Sequence, residues 1–293
     1  MPNYQLIAMP LDQIDVDALP FDAREMSFLD HIDELRWHII RAMIAIMLLT
    51  IGVFMAKDFV FGTIIFGPKS PDFITYRVLC WFSHAIGAGE KICITPTPYE
   101  VQGVDIGEAF TLHITASMVL GCILAFPYIF WEIWRFVRPG MRRKEATSTI
   151  TLISVCSFLF FFGVAFGYFV IAPSGINFLA GYNLPGVINQ PRISSYVNYL
   201  ILFVLPTGIT FEMPVVIYFL SQLGIVSAAG MRSWRRYAIV IILIVAAIIT
   251  PGPDIMSQLL VGVPLYVLYE ASVNIAARED RKRAQKALLE ESE

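Results

Sequence analysis

Residues 27–41 read SFLDHIDELRWHIIR and lead directly into an apolar segment that ends near Ala56. The stretch carries three acids and two arginines, which are Asp30, Asp33, Glu34, Arg36 and Arg41. A charged helix that continues into an apolar helix of span length is typical of a membrane protein at its cytoplasmic surface. We therefore expect a membrane span to begin here, with Glu34 at its polar start.

The composition extends this expectation to the whole chain. Of its 293 residues, 57% are hydrophobic and 15% are charged, whereas soluble proteins average roughly 45–50% and about 25%. Crossing about 30 Å of hydrocarbon takes about 20 helical residues. Six apolar runs are visible, at 37–56, 110–134, 149–171, 197–223, 237–249 and 259–277. The sequence thus predicts an all-α polytopic membrane protein with six transmembrane helices.

The basic residues predict the orientation of these spans. They cluster before run one, between runs two and three, between runs four and five, and after run six. Loops on the other side carry few Lys or Arg, so the positive-inside rule places both termini in the cytoplasm. We divide the chain into an acidic cytoplasmic extension (1–25), a membrane domain (26–277) and a charged cytoplasmic tail (278–293). The extension does not look like a cleaved signal peptide, because it is acidic.

The first outer loop, at about 57–109, is unusually long. Its apolar piece FVFGTIIFGP is too short to cross a membrane, so we expect a folded cap that contains a short helix. Cys80 and Cys93 both lie in this loop, where a disulfide is one of two open alternatives. Gly163 and Gly167 form a small-xxx-small pattern, which favours close helix packing within the chain.

Runs five and six predict two short C-terminal spans, joined by the tight turn TPGPDIMSQ. A short hairpin either thins the bilayer locally or is sheltered by longer helices. Within the turn, Asp254 has the character of an N-cap for the sixth helix.

Two acids lie within or near the predicted spans. Glu212 lies deep in run four, between Pro206 and Pro214, which are expected to kink the helix. A carboxyl group at that depth is costly unless it is neutral, paired or facing a wet cavity. It is either hydrogen-bonded to a neighbouring helix or forms a polar seat in a concave surface. For Glu132, near the end of run two, we predict an interfacial ion pair with a neighbouring Arg.

Two further acids flank the predicted cytoplasmic surface. Glu145 follows three cations, and a solvated pair with them is the simplest interpretation. Glu34 has a similar interpretation as a helical face-mate of Arg41 or His38.

Motifs of soluble enzymes are missing from the sequence. It contains no GxxxxGK[ST] for ATP, no GxSxG and no HExxH. The four histidines are scattered, so no metal site or cofactor is predicted, and His113 is expected to be a hydrogen-bonded helix residue. Without a nucleotide site, the energy for any transport would come from a gradient or a partner.

Four motifs together carry a family resemblance. FLDHIDELRWHII, FVRPGMRRKE, TFEMP and TPGPDIMSQ resemble, in order and spacing, the signatures of TatC, the multispanning subunit of the twin-arginine protein translocase. The resemblance covers about residues 26–277. It implies a receptor for twin-arginine signal peptides that exports folded proteins across the inner (plasma) membrane, driven by the proton-motive force.

The resemblance also implies which residues bind the signal peptide. Glu34 and Glu145 match the two acids that receive the Arg-Arg pair, and Arg36, Phe136 and Pro139 match neighbouring motif positions. Each guanidinium presents a planar fork of donors that suits a carboxylate, whereas a Lys ammonium does not. His38 departs from the family pattern, where Arg is common.

Partners follow from the same resemblance. Glu212 matches the buried acid on the concave face, and Asp254 and Gln258 match the turn where the single-span proteins TatA and TatB dock. The expected partners are those proteins, twin-arginine signal peptides, membrane lipid and further copies of the chain, with no nucleic acid.

Two other functions are alternatives to a signal-peptide receptor. A small-solute proton-coupled secondary transporter would use Glu212 as its proton carrier and would show an inverted repeat, which the sequence lacks. An intramembrane enzyme would have only Glu212 and His113 for its chemistry.

Overall fold

The computed structural model describes residues 28–85, 87, 93, 99–137, 149–182, 185–186, 189–250 and 255–290. Within these ranges the chain is helical, and its only β pairing is an isolated parallel bridge between Gln102 and Arg192. The α-helices are α1 (Phe28–Met55), α2 (Lys57–Phe59), α3 (Ile74–Ala85), α4 (Glu108–Val137), α5 (Thr149–Phe166), α6 (Ala172–Gly181), α7 (Ile193–Phe211), α8 (Met213–Gln222), α9 (Ala228–Ser233), α10 (Arg235–Ile249) and α11 (Ile255–Glu290). The predicted all-α class is confirmed.

Five helical segments are long and apolar enough to cross a membrane. They are Asp33–Met55, Glu108–Val137, Ile150–Gly181, Ile193–Gln222 and Gln258–Gln285. The third joins α5 and α6 through a π-helical turn, and the fourth joins α7 and α8. These segments coincide with five of the six predicted runs, so the described residues support a multi-pass membrane protein.

The remaining predicted run lies in α10, which has only 15 residues. At 1.5 Å per residue it measures about 22 Å, which is less than the roughly 30 Å of a hydrocarbon core. Its role as a sixth span stays a prediction.

The last helix differs in length from the predicted run. α11 continues through the charged segment to Glu290 and has 36 residues. This segment is rich in Ala, Glu, Lys and Arg, which are strong helix formers, and Lys282 pairs with Glu279 at 2.6 Å. The final helix is therefore long enough to span the membrane, unlike the short span that was expected, and most of the predicted tail is helical.

The segment between α1 and α4 packs as a cap over one end of the bundle. Its apolar piece forms a six-residue π-helix, Val60–Ile65, instead of a span. The Tyr168 hydroxyl donates to the carbonyl of Ile64 at 2.6 Å, and the Tyr196 hydroxyl donates to that of Ile65 at 2.6 Å. These bonds attach the cap to the membrane helices. We call this end of the bundle distal, and the end where α1 begins and α4 ends proximal.

Two further links hold the cap together. The Tyr76 hydroxyl donates to the carbonyl of Pro68 at 2.8 Å. Burial raises the pKa of Tyr76 to about 12, so this donor keeps its proton. Cys80 and Cys93 form a disulfide, which resolves the alternative that the sequence left open.

The two distal loops are joined through Gln102. Its N–H donates to the carbonyl of Pro191 at 3.1 Å, and its carbonyl accepts from the N–H of Ile193 at 2.9 Å. Arg192 adds an ion pair with Asp105. The cap and the loop before α7 therefore behave as one connected surface.

Glycines allow α5 and α7 to pack closely at the centre. A Cβ atom at Gly163 would lie 3.0 Å from the Cα atom of Gly208, and one at Gly167 would lie 2.7 Å from the carbonyl oxygen of Phe203. The small-xxx-small pattern is thus used for packing within the chain, as the sequence predicted.

Candidate functional site

Glu34 lies on α1 near the proximal end of the bundle. Its side chain is half-buried and that of Arg36 is exposed. Within the described residues, no ion pair or hydrogen bond engages the Glu34 carboxylate. The predicted pairing of Glu34 with Arg41 or His38 is therefore wrong, because both of those side chains face Glu132. Glu34 is left available for a ligand.

Phe136 lies in the last turn of α4 and contacts the same region of α1. Its ring centroid is 6.0 Å from that of His38, in an edge-on arrangement. The structure thus brings together Phe136 and the turn of α1 that follows Glu34. Pro139 and Glu145 fall outside the described residues, so the distance between Glu34 and Glu145 stays untested.

A buried polar cluster joins α1 to α4 at this end. The Nδ1 atom of His38 lies 2.5 Å from Oε2 of Glu132, and the Tyr128 hydroxyl donates to Oε1 at 2.8 Å. The side chains of His38 and Glu132 are 7% and 2% exposed. Arg41, 4.0 Å from Oε2, adds a positive charge at the edge of the cluster. Both oxygens of the Glu132 carboxylate are thereby satisfied.

Sequence reasoning missed this pair. The sequence predicted an ion pair of Glu132 with an Arg, and Arg41 of α1 supplies one at 4.0 Å. Arg135 instead stacks over the ring of Trp131 at 5.8 Å, and the closest partner of Glu132 is His38, 94 positions away. One signal was present. His38 and Glu132 lie near the same membrane surface on consecutive, antiparallel runs, so each is at a depth where the other can reach it.

Glu212 occupies the break between α7 and α8. Its carbonyl accepts from the N–H groups of Val215 and Val216 at 3.0 and 3.1 Å, and Pro214 has no N–H to donate. The expected interruption of the helix is confirmed. The side chain is 9% exposed, and neither carboxylate oxygen has a hydrogen-bond partner in the described part of the chain. Cys156 of the neighbouring α5 lies within interaction range of this carboxyl group, so the bond to a neighbouring helix and the polar seat both stay predictions.

Gln258 ties the start of α11 to α10. Its side-chain amide donates to the carbonyl of Leu243 at 2.9 Å. Asp254 lies outside the described residues, so its predicted N-cap is untested. The docking role of this turn likewise stays a prediction.

An apolar groove of about 370 Å³ opens between the last turns of α4 and α8. Its walls include Ile133, Trp134 and Val137 from α4, and Phe219 and Leu220 from α8. The groove lies on the face of α4 that points to α8, whereas Glu132 and Phe136 on the other face contact α1. It offers an apolar surface at the proximal end of the bundle.

One group among the described residues has the spacing of metal ligands. The ligand atoms of Cys80, His84 and Cys93 lie within 4.8 Å of one another. Both sulfurs are used in the disulfide, so neither is a thiolate that could bind a metal.

Comparison with known proteins assigns relatives to this architecture. Residues 30–264 match the family described as "Sec-independent protein translocase protein (TatC)". The TatC protein of Blattabacterium sp. subsp. Periplaneta americana is 35% identical over 271 residues, covering 89% of this chain and 99% of the relative. The TatC protein of Desulforapulum autotrophicum is 34% identical over 251 residues, covering 86% and 84%.

Solved structures agree with these matches. A crystal structure described as "Twin Arginine Translocase Receptor- TatC in DDM" superposes with a TM-score of 0.65 and 28% identity. It covers 84% of this chain and 99% of that one. A second crystal structure of such a receptor gives a TM-score of 0.60 at 27% identity, covering 84% and 97%.

Proposed function

The chain belongs to the TatC family of Sec-independent protein translocases, and we propose that it binds twin-arginine signal peptides as the receptor and core subunit of its translocase. As a translocase component it is a non-enzymatic transport subunit. We place both termini in the cytoplasm, because the basic residues cluster on that side of the predicted spans. In this orientation the proximal end of the bundle is cytoplasmic. The transporter alternative is not favoured by the relatives.

The observation that carries the proposal is that no described residue pairs with the Glu34 carboxylate, which lies at the end of the bundle where α4 ends. The ring contact between His38 and Phe136 brings the two helices together there. The segment 138–148, which contains Glu145, follows α4 directly. Two carboxylates supplied by α1 and by this segment would each accept a guanidinium fork through charge-assisted hydrogen bonds. Such bonds contribute about 1.5–3 kcal/mol each.

The apolar groove beside this end supports the second half of the ligand. A signal peptide continues from its polar start into an apolar segment. The groove between α4 and α8 presents Trp134 and Phe219 to such a segment. The peptide would therefore place its arginines at Glu34 and its apolar part along the bundle.

The remaining parts of the proposal concern energy and partners. Because the sequence has no ATP-binding motif, export of folded proteins would draw on the proton-motive force. The turn at Asp254 and Gln258 is the proposed docking region for TatA and TatB, and Glu212 is the proposed intramembrane polar site for a partner or a translocating segment. α10 is short enough to thin the bilayer locally. Assembly with further copies of the chain completes the proposed complex.

The test is crosslinking of the detergent-purified protein to a twin-arginine signal peptide. Glu34→Gln and Glu145→Gln remove one carboxylate charge each, and we expect affinity to fall about tenfold to a hundredfold, from a loss of about 1.5–3 kcal/mol. A peptide with Lys-Lys in place of Arg-Arg should lose a similar amount, because an ammonium cannot form the fork.

Asp33→Asn is the matched control. This acid neighbours Glu34 on the same helix, is exposed, and has no assigned role. Its loss should change crosslinking by less than about twofold, which corresponds to about 0.4 kcal/mol. Undiminished crosslinking in both glutamate variants would refute the assigned site.

A further inference from the structure

We propose that His38 and Glu132 form a positioning pair that fixes α1 against α4 and thereby holds Glu34 where it can meet an arginine. The inference rests on the proposed function, because it concerns the same site. Neither residue touches the signal peptide in this proposal. Their effect on binding passes through the placement of α1.

The need for such a device follows from how α1 is packed. Among the described residues, α1 packs mainly against α4, and many of its other side chains are exposed. Met43, Met47 and Met55 are 57%, 65% and 80% exposed. In a membrane, lipid chains replace water around these side chains, so apolar burial does little to fix the rotation or sliding of this helix. Directional contacts along the α1–α4 seam must do so.

The seam contains a directional contact near each end. At the distal end, the rings of Phe54 and His113 stack with centroids 3.9 Å apart. At the proximal end, the contact is the pair of His38 and Glu132. Stacked rings tolerate small displacements, whereas a hydrogen bond to a buried carboxylate requires a defined distance and direction. The proximal pair therefore sets the register of the helix near Glu34.

A shift of α1 by one turn would leave both members of the pair buried without partners. That state is strongly disfavoured, whereas a correctly formed buried pair adds little net stability compared with apolar residues. The expected contribution of the pair is a unique arrangement of the two helices. The Tyr128 hydroxyl supports it by holding the second oxygen of Glu132 at 2.8 Å.

The packing of α1 on α4 determines the position of Glu34. It precedes His38 by four residues, so the two side chains lie on one face of α1, about one turn apart. Glu132 also engages the His38 ring, and Arg41 points to the same carboxylate. His38 and Arg41 thus engage Glu132 and not Glu34. The pair therefore fixes the position of the Glu34 carboxylate and keeps His38 and Arg41 from pairing with it.

The experiment compares single and double apolar replacements in the full chain, purified in detergent. His38→Leu or Glu132→Leu alone leaves one polar group unpaired, and each should lower the midpoint of thermal unfolding. His38→Leu/Glu132→Leu removes both groups, so the unfolding midpoint should return close to that of the unaltered protein. The double variant should nevertheless bind the twin-arginine peptide about tenfold more weakly. His38→Arg, which keeps an N–H donor for Glu132, should keep at least half of the binding.

A distance measurement reports positioning without any peptide. Spin labels at Ile39→Cys and Val137→Cys, with Cys122 and Cys156 replaced by Ala, report the separation of α1 and the end of α4. Ile39 and Val137 are 53% and 44% exposed, so labels fit there. The distance distribution should be narrow in the otherwise unaltered protein and broader in the double variant. Removing the remote pair with Lys282→Leu/Glu279→Leu is the matched control and should change neither readout.

The outcomes separate the two proposals. A double variant with a narrow distance distribution and unchanged peptide binding overturns the positioning pair. If the unaltered protein binds Arg-Arg and Lys-Lys peptides equally, the proposed signal-peptide site is refuted. The distance distribution still tests whether His38 and Glu132 fix α1 against α4. A double variant that does not fold contradicts the claim that the pair serves arrangement more than stability.

Discussion

The α5–α7 seam and the α1–α4 seam solve the same packing problem differently. Between α5 and α7, glycines bring backbone against backbone at the centre of the bundle, next to the fully buried ring of Phe203. Between α1 and α4, Gly121 also permits close approach, to Thr50, but α1 is open to lipid on its other side. The first seam is enclosed by neighbours, and the second can separate outwards.

This difference matters for function because the proposed recognition carboxylate lies on the less enclosed helix. A receptor that binds many signal peptides gains from a site whose position can adjust slightly. The buried pair of His38 and Glu132 limits that freedom at one level of the seam. The contrast between the seams therefore predicts different consequences for the same chemical change.

The largest effect is expected for Gly167→Ala in the α5–α7 seam. The added Cβ atom would lie 2.7 Å from the carbonyl oxygen of Phe203 and 2.9 Å from the Cα atom of Val204. Both are backbone atoms of an enclosed helix and cannot retreat easily. We expect a loss of about 1–3 kcal/mol or more in the free energy of unfolding, measured by denaturation in detergent.

Gly52→Ala is the control for this substitution. Apart from the adjacent backbone of its own helix, no atom of the described residues lies within 4 Å of a Cβ built at Gly52, which is also helical. Alanine should there stabilise the helix by up to about 1 kcal/mol. Equal responses at Gly52 and Gly167 would show that close packing at the centre contributes little.

A smaller loss of stability is expected for Gly121→Ala in the α1–α4 seam. Its Cβ atom would lie 2.8 Å from the backbone nitrogen of Thr50, a contact nearly as close as that at Gly167. Because α1 can move towards lipid, we expect a loss of about 1 kcal/mol together with weaker binding of the twin-arginine peptide. A loss as large as that for Gly167→Ala, measured in the same denaturation, would mean that α1 is held as firmly as α7.

The sequence predicted those features that depend on local pattern. Apolar runs of span length marked five of the observed spans, and the spacing of Gly163 and Gly167 predicted the close central seam. The proline-flanked Glu212 predicted the break between α7 and α8. Each of these features depends on residues that are close in sequence, separated by no more than the length of one span. Tertiary packing is therefore not needed to predict them.

Other features depend on contacts between distant segments. His38 and Glu132 are 94 positions apart, and each has nearer oppositely charged residues in sequence, so only the packing of α1 on α4 identifies the pair. The apolar pattern did not predict the extension of α11 to Glu290, because that pattern ends where the charged segment begins. Helix propensity does not depend on the bilayer, and Lys, Arg and Glu favour helix in water as well.

The smallest effect is expected at the distal contact of the α1–α4 seam. The His113 ring stacks on Phe54 at 3.9 Å and meets Phe61 of the cap edge-on at 5.5 Å, and its buried Nε2 atom has no hydrogen-bond partner in the described residues. The predicted hydrogen bond of His113 is thus replaced there by ring contacts.

His113→Leu keeps most of the volume but loses the aromatic contacts, which should reduce the free energy of unfolding by about 0.5–1.5 kcal/mol. His113→Phe keeps the stack and removes the unpaired nitrogen, so it should be neutral or slightly stabilising. Peptide binding should be unchanged in both variants, because this contact lies at the opposite end of α1 from Glu34. If His113→Leu instead weakened binding as much as the proximal double replacement, the seam would act as a single rigid unit, and the register of α1 would not be set locally by His38 and Glu132.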